Sequence, residues 1–568
     1  MKLSHVIAQY FVKLGVTVIF GYQGGSITHM IDSFDKYGIR YIQSYNEQGA
    51  GLAADAYART SEIGLGIAIG TNGPGATNLI TAIANAYCDS VPVLFLTGQV
   101  HSFAMKRSPD VRQESFQEID IVSMVKPVTK YAVTITDKNT AIAEIDKAVH
   151  IALSGRKGPA LIDLPVDVQG MEVDCSLEQY FCEKESYQAE NSPLNREEIL
   201  KRLMIAEKPL ILAGGGVRNA GATEVFREFV RTLRIPVAVS LMGLDSLPHD
   251  DENFVGYIGG YGNRYANLAV QNADLILVMG SRLDMRQTGK RKDLFAASAD
   301  IIHIDIDDAE LGHFINREQK IKCDIKQFLT GALETINEKD ELNIEEWRGT
   351  IAKWKKCYCD DREFSDQEAN NPNAILRAIG AAMPSDVAVI FDVGQNQMWA
   401  AQSLRVAGEN VRILNSGGLG TMGYSLPGAI GAYYANPTAK VVALMGDGGL
   451  QMNIQELQMI SQFQLPITVV VFNNHALGLI RDVHEKYYDC RYVGSVKGFS
   501  MPELQKIATA YRMRYQKIES GEDLAKYSAF FKEEGPMLIE VEFLGNTYVR
   551  PELLGQDGLE HQIPYKEG

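Results

Sequence analysis

A Gly446-Asp447-Gly448-Gly449 run follows one apolar stretch, and a second apolar stretch ends in Asn473-Asn474, with Asn474 27 positions after Asp447. Two strand ends that finish in a carboxylate and an amide oxygen can face one cation together. With a nearby backbone carbonyl they suit a hard octahedral ion whose other positions are filled by phosphate oxygens and water. Glycines beside the aspartate let the backbone approach those phosphates closely. A lone Gly-Asp-Gly is ordinarily a strand-to-helix turn with a capping aspartate. The paired asparagines at this separation turn the reading toward a metal and a diphosphate.

Other segments carry chemistry only in company. Glu47, in Asn46-Glu47-Gln48-Gly49-Ala50-Gly51, stands between a strand-like segment at 40–44 and an alanine-rich helix at 50–58. Alone, it is a helix-start carboxylate favoured by the macrodipole. Glycine-rich loops recur as Gly21-Tyr22-Gln23-Gly24-Gly25, Asn72-Gly73-Pro74-Gly75, Gly394-Gln395-Asn396-Gln397-Met398-Trp399 and the run Asn415 to Tyr424. Mid-chain lie Ala213-Gly214-Gly215-Gly216, Gly280-Ser281-Arg282 and His303-Ile304-Asp305-Ile306-Asp307. A glycine triplet is common in any α/β turn, and no full GxGxxG with a ribose-binding acid is seen.

The elements that must position these residues follow from periodicity. Short β-branched runs at 16–20, 64–69, 91–97 and 160–164 alternate with helical patterns, as do runs at 209–213, 237–240, 275–280 and 301–305, and at 387–392, 441–445, 467–472 and 537–541. This alternation predicts an α/β protein with three doubly wound parallel-sheet domains at 1–169, 196–335 and 364–550. A polar stretch at 170–195 reads as a linker, a charged stretch at 336–363 as a linker helix and 551–568 as a tail.

At 568 residues the chain exceeds what one hydrophobic core organises, which agrees with several domains. A formal charge of -16 repels polyanions and excludes nucleic acid as an expected partner. Seven cysteines without a CxxC pair suit reduced thiols. Leu3, Val6, Ile7, Tyr10, Phe11 and Leu14 form an amphipathic helical pattern, and no long apolar span occurs, so the expectation is a cytoplasmic protein with no membrane association.

Gly446 to Gly448 with Asn473-Asn474 resembles the cofactor motif of the thiamine-diphosphate enzymes. Over essentially the whole chain the closest likeness within them is to the acetolactate synthase large catalytic subunits. The carrying segments are Ser416-Gly417-Gly418-Leu419-Gly420-Thr421-Met422-Gly423, Gly394 to Trp399 and Phe116-Gln117-Glu118. The resemblance implies a pyrimidine-binding first domain, a flavin-associated central domain and a diphosphate-binding third domain. It implies Mg²⁺ held by the side chains of Asp447 and Asn474 and the carbonyl of Ala476. Gly394, Gln395, Asn396, Gly420, Gly446, Gly448, Gly449 and Gly478 would surround thiamine diphosphate, with Met422 wedged between its two rings. Glu47 would contact the aminopyrimidine and assist ylid formation, a role served by an apolar setting. Gly25 and Gln117 would line the reacting carbon and Phe116 the substrate pocket. FAD would be held through Gly214, Gly215, Gly280, Arg282 and Asp305. Arg286 would meet the carboxylate of the second substrate as a bidentate ion pair, its ordinary alternative being a surface salt bridge.

The expected activity is decarboxylation of a 2-keto acid, pyruvate first among them, and addition of the acyl carbanion to an acceptor carbonyl. In the family the cofactor lies between the first domain of one subunit and the third of its neighbour, so a homodimer is expected, with a tetramer open, as is a regulatory subunit. Several positions depart from the pattern. Asn396 replaces a histidine, Val483 a tryptophan and Val166 a lysine; the loop between 97 and 118 is longer; and 545–568 lacks the usual ending. Loss of the tryptophan ring bears on acceptor choice, so acetyl transfer to a keto-sugar or other ketone is the runner-up. A simple decarboxylase would carry paired histidines, which this chain lacks. An oxidase shares the three-domain plan, and a non-catalytic nucleotide-binding protein the fold alone.

Overall fold

The computed structural model describes residues 1–106, 108, 110–181, 196–336, 342–363, 371–518, 529, 531, 534–543, 545–555 and 557–565. Parts of the expected linkers (182–195, with Cys182, and 337–341), of the 97–118 loop (107 and 109) and of the tail (566–568) lie outside the described residues.

Three six-stranded sheets, every pairing parallel, carry the chain. Their central strands are wholly buried and largely apolar on both faces, as in Pro209–Ala213 and Leu275–Met279, because helices cover both sides. The first sheet runs Arg40–Gln43, Val18–Gly21, Gly66–Gly70, Val93–Gln99, Ala160–Pro165, Tyr131–Thr134 across its width. The third runs Arg412–Leu414, Val387–Phe391, Lys440–Gly446, Ile467–Asn473, Met537–Glu542, Arg514–Ile518. Both follow one strand order, second-first-third-fourth-sixth-fifth.

The middle sheet is wound differently. Gln319–Lys322, Asp300–Asp305, Leu275–Met279, Pro209–Ala213, Val237–Val239 and Phe254–Tyr257 lie side by side in the order sixth-fifth-fourth-first-second-third. Read from the other edge, this is the order of dinucleotide-binding sheets, whose ligands sit where the winding reverses. Here that point lies between the ends of Pro209–Ala213 and Leu275–Met279.

The first and third sheets are joined by helix on helix. Glu47–Thr60 packs against Ser425–Ala435, and Ala53, Ala56, Ile390, Ala429, Ile430 and Val469 share one core. The approach is close enough that a Cβ at Gly431 would lie 2.0 Å from the carbonyl oxygen of Ala53. The stretch beyond 551 packs as a strap on the middle region. Glu552–Leu553 pairs antiparallel with Gln562–Ile563, the Leu553 N–H donates to the Gly260 carbonyl at 2.7 Å, and Arg264 donates to the carbonyls of Gln562 and Pro564.

Among the described residues six cysteines are free, and no helix is long and apolar enough to cross a membrane.

Candidate cofactor and active site

Lys440–Gly446 and Ile467–Asn473 are neighbours in the third sheet, with Gly446 opposite Phe472. Asp447 and Asn474 therefore leave adjacent strand ends together. The Asp447 carboxylate accepts the Gly448 N–H at 2.8 Å, while the nearby N–H groups of His475 and Ala476 donate to Asn473 Oδ1 and Asn474 Oδ1 at 3.4 and 3.3 Å. The other oxygen of Asp447, Oδ2, is buried with no hydrogen-bond partner. Burial pushes the carboxyl up to about 6, against those amides. A buried carboxylate oxygen without a donor is costly unless something positive completes it.

Around it stand Gln395 and Thr547. The Asn474 amide nitrogen donates to Gln395 Oε1 at 3.0 Å and to Thr547 Oγ1 at 2.8 Å, which turns its oxygen the other way. Gly478 is close beneath: a Cβ there would lie 2.0 Å from Gln395 Oε1. Met422 overlies the turn, its methyl carbon 3.4 Å from where Gly448 would carry a Cβ. Asp392 fixes the segment bearing Met422, accepting the N–H of Gly423 at 2.9 Å and of Ser425 at 3.0 Å. Gly449 is glycine for that carboxylate, since its Cβ would meet Asp392 Oδ1 at 2.7 Å. Gly394 opens helix Gln395–Ser403 at φ 145, and Gly420 sits at φ 75 in open space. The Asn396 side chain turns inward. Its NH₂ donates to the carbonyls of Asp392 and Leu444 at 2.9 and 3.4 Å.

A second group gathers at the end of the first sheet. Glu47 opens helix Glu47–Thr60 behind an Asn46 cap, is buried, and accepts from Asn78 Nδ2 at 2.9 Å. Gly75 leaves it room, since a Cβ there would stand 2.9 Å from Glu47 Oε1. Gln117 takes φ 63 and lies against Gly73, its carbonyl accepting from Asn72 Nδ2 at 3.2 Å. Gly25 faces open space. Phe116 is 86% exposed in the single chain. Asn78, Asp392 and Thr547 stand in these two groups yet carry no sequence signature, being isolated polar residues.

The reversal point of the middle sheet opens into a cavity of ≈ 820 Å³ lined by Gly215, Met242, Gly280, Arg282, Asp305 and Arg286 among others. Gly214 is not on its wall. It sits where a Cβ would lie 2.1 Å from the Gly280 carbonyl oxygen, so only glycine lets the two turns cross. Asp305 ends Asp300–Asp305, and burial raises its carboxyl above the usual range. The volume, the strand order and the crossing of two glycine turns fit a dinucleotide. Arg286 is exposed, its Nη2 lies 4.0 Å from Met398 Sδ, and it forms no ion pair among the described residues. Val483 lies exposed on Gly478–Tyr487.

Family models match the chain in three successive pieces: the thiamine pyrophosphate enzyme N-terminal TPP binding domain over residues 1–124, the central domain over 196–331 and the C-terminal TPP binding domain over 392–541. The chain belongs to the thiamine pyrophosphate enzyme family. It is 37% identical to the acetolactate synthase large subunit of Lactococcus lactis subsp. lactis (strain IL1403), covering 96% of this chain and 93% of the relative. To the acetolactate synthase large subunit of Cyanidium caldarium it is 36% identical, covering 94% and 92%. To acetolactate synthase isozyme 2 large subunit of Escherichia coli (strain K12) it is 34% identical, covering 93% of each. This thiamine pyrophosphate enzyme is thus acetolactate synthase-like along nearly its whole length. The two TPP binding domains are the two sheets with the same strand order, and the central domain is the one with the different winding.

Proposed function

We propose that this chain decarboxylates a 2-keto acid, pyruvate first among them, and adds the acyl unit to an acceptor carbonyl, as an acetolactate synthase does. The observation that carries this reading is the buried, unpartnered Oδ2 of Asp447 beside an Asn474 whose amide oxygen, turned away from Gln395 and Thr547, accepts only the Ala476 N–H at 3.3 Å and keeps a lone pair. Those two oxygens with the Ala476 carbonyl suit Mg²⁺, and the glycines at Gly446, Gly448 and Gly478 leave room for a diphosphate. When bound, thiamine diphosphate would supply a nucleophilic carbon that adds to the ketone and holds the electron pair left by departing CO₂.

The chain's own residues divide the rest. Glu47 would meet a ring nitrogen of the cofactor through one carboxyl oxygen, with Asn78 fixing the other. Met422, set by Asp392, presses on the cofactor from the Gly448 side. Gly25, with open space where a Cβ would stand, and Gln117, against Gly73, would line the reacting carbon. Arg286, without an ion-pair partner among the described residues, receives the acceptor's carboxylate through a paired hydrogen bond. FAD is the dinucleotide we assign to the central cavity, held through Gly215, Gly280, Arg282 and Asp305.

The partners of Glu47 come from its own region, and Phe103, Phe116, Tyr487 and Val493 are exposed. Both support a homodimer, or a tetramer of such dimers, that closes the site between copies. We take the domains as 1–169, 196–335 and 364–550, and the location as the cytoplasm.

The test is incubation with pyruvate, thiamine diphosphate and Mg²⁺, alone and with 2-ketobutyrate, aldehyde or keto-sugar acceptors, followed by product identification beside Glu47→Gln. We expect CO₂ release with a carboligation product, and a fall of about 10²- to 10⁴-fold in the variant. Pyruvate left intact in every mixture would remove it as donor; equal rates in both proteins would remove Glu47 from the chemistry.

A further inference from the structure

We propose that Thr547 is a positioning residue that sets which face of the Asn474 amide meets the metal. The proposal rests on the assignment of Asn474 as a metal ligand. An asparagine amide presents an acceptor on one side and a donor on the other, and rotation by half a turn exchanges them. Ligation of a cation requires the oxygen.

The polarity is settled by a short chain of hydrogen bonds that begins at a group unable to donate. The Thr547 backbone carbonyl accepts from Gln395 Nε2 at 2.8 Å, so Gln395 must turn its Oε1 toward Asn474. The Thr547 hydroxyl has one hydrogen, and it goes to that same Oε1 at 2.8 Å. Toward Asn474, 2.8 Å away, the hydroxyl therefore has only lone pairs to offer. Gln395 Oε1, 3.0 Å from the amide, also only accepts. Asn474 meets two acceptors at once and must give them its NH₂, which leaves Oδ1 to accept the Ala476 N–H at 3.3 Å and to offer its second lone pair to the cation. Gln395 and Thr547 are buried, so water does not readily replace either.

Thr547 lies 73 positions from Asn474, after the last strand of the third sheet. Its carbonyl also accepts from the buried Arg481 of helix Gly478–Tyr487. That second bond holds the Thr547 backbone whatever its side chain, so a substitution can remove the hydroxyl alone.

The experiment titrates the full-length protein, stripped by a chelator, with Mn²⁺ in the presence of thiamine diphosphate, reading free Mn²⁺ by electron paramagnetic resonance. Thr547→Val should weaken Mn²⁺ about 10- to 100-fold, the usual range for a partner that orients a metal ligand. Thr547→Ser should restore it, and the metal-free melting temperature of Thr547→Ser should match the parent. Asn474→Ala should lose the metal outright. Unchanged affinity in Thr547→Val alongside loss in Asn474→Ala would overturn the proposal and leave the metal site standing. Unchanged affinity in Asn474→Ala would overturn the ligand assignment on which it rests.

Discussion

Glu456 accepts the backbone N–H of Tyr45 at 3.0 Å across the seam between the third and first sheets, two residues ahead of Glu47. It also accepts the N–H of Asn46, and its second oxygen is buried without a partner. Gly49 makes the approach possible, since a Cβ there would stand 2.6 Å from Glu456 Oε1. A carboxyl of one TPP binding domain thus holds the helix start that presents the glutamate of the other.

Burial pushes Glu456 up to about 7, outweighing the two backbone donors. The native protein then binds this proton more tightly than the unfolded chain, whose glutamate titrates near 4.5. The stability from this group is full below that value and is lost as pH rises through about 7. Glu456→Gln removes the titration. Between about pH 5 and pH 8 the parent should lose on the order of 2–3 kcal/mol relative to the variant. Denaturant unfolding of both proteins across that range measures it; a gap constant with pH would show that the carboxyl is ionised throughout.

The helix contact at Gly431 gives a steric prediction. Gly431→Ala drives a methyl into a backbone oxygen that cannot rotate away, and should cost at least about 1–3 kcal/mol. Gly349, inside helix Glu345–Cys357, has nothing within 4 Å of a Cβ. Gly349→Ala should stabilise the protein by about 0.5–1 kcal/mol through helix propensity. Thermal midpoints without ligand, moving in opposite directions, confirm the pair.

Asp447→Asn separates cofactor binding from folding. The change removes a buried carboxylate oxygen that lacks a donor, so the ligand-free protein should melt no lower than the parent. The gain on adding thiamine diphosphate and Mg²⁺, about 2.7 kcal/mol at a hundredfold excess over Kd, should vanish. Chelator added to the loaded parent should reproduce that loss. A full ligand-induced shift in the variant would rule Asp447 out as a ligand.

Arg286→Lys keeps the charge and gives up the planar pair of donors. The acceptor's KM should rise by roughly tenfold to a hundredfold, the worth of about 1.5–3 kcal/mol for a hydrogen bond between charged groups. Single-turnover release of CO₂ from the first keto acid should hardly change. Loss of both together would place Arg286 at the donor's step instead.

Central strands were legible because an apolar run bounded by turns must be buried on both faces: Pro209–Ala213 falls where the sequence predicts it, and Ile467–Asn473 extends the prediction by one residue. Five strands that periodicity does not single out, Tyr131–Thr134, Phe254–Tyr257, Gln319–Lys322, Arg412–Leu414 and Arg514–Ile518, are all edges. Four of them are partly exposed and carry mixed residues, so no apolar run announces them. Edge strands take their place from a neighbour's hydrogen bonds rather than from their own composition.

The chemistry itself was set along the chain, because a strand that ends in Gly-Asp-Gly and another that ends in Asn-Asn must deliver those groups wherever two such strands are adjacent. What folding alone decided is the surroundings: Asp392 beneath Met422, Glu456 against Tyr45 411 positions away, and Thr547 against Asn474. A hydrogen bond's direction depends on which groups arrive from distant segments, and a buried group's protonation on how much water they displace. Neither leaves a local pattern, so both appear only once the three sheets are assembled.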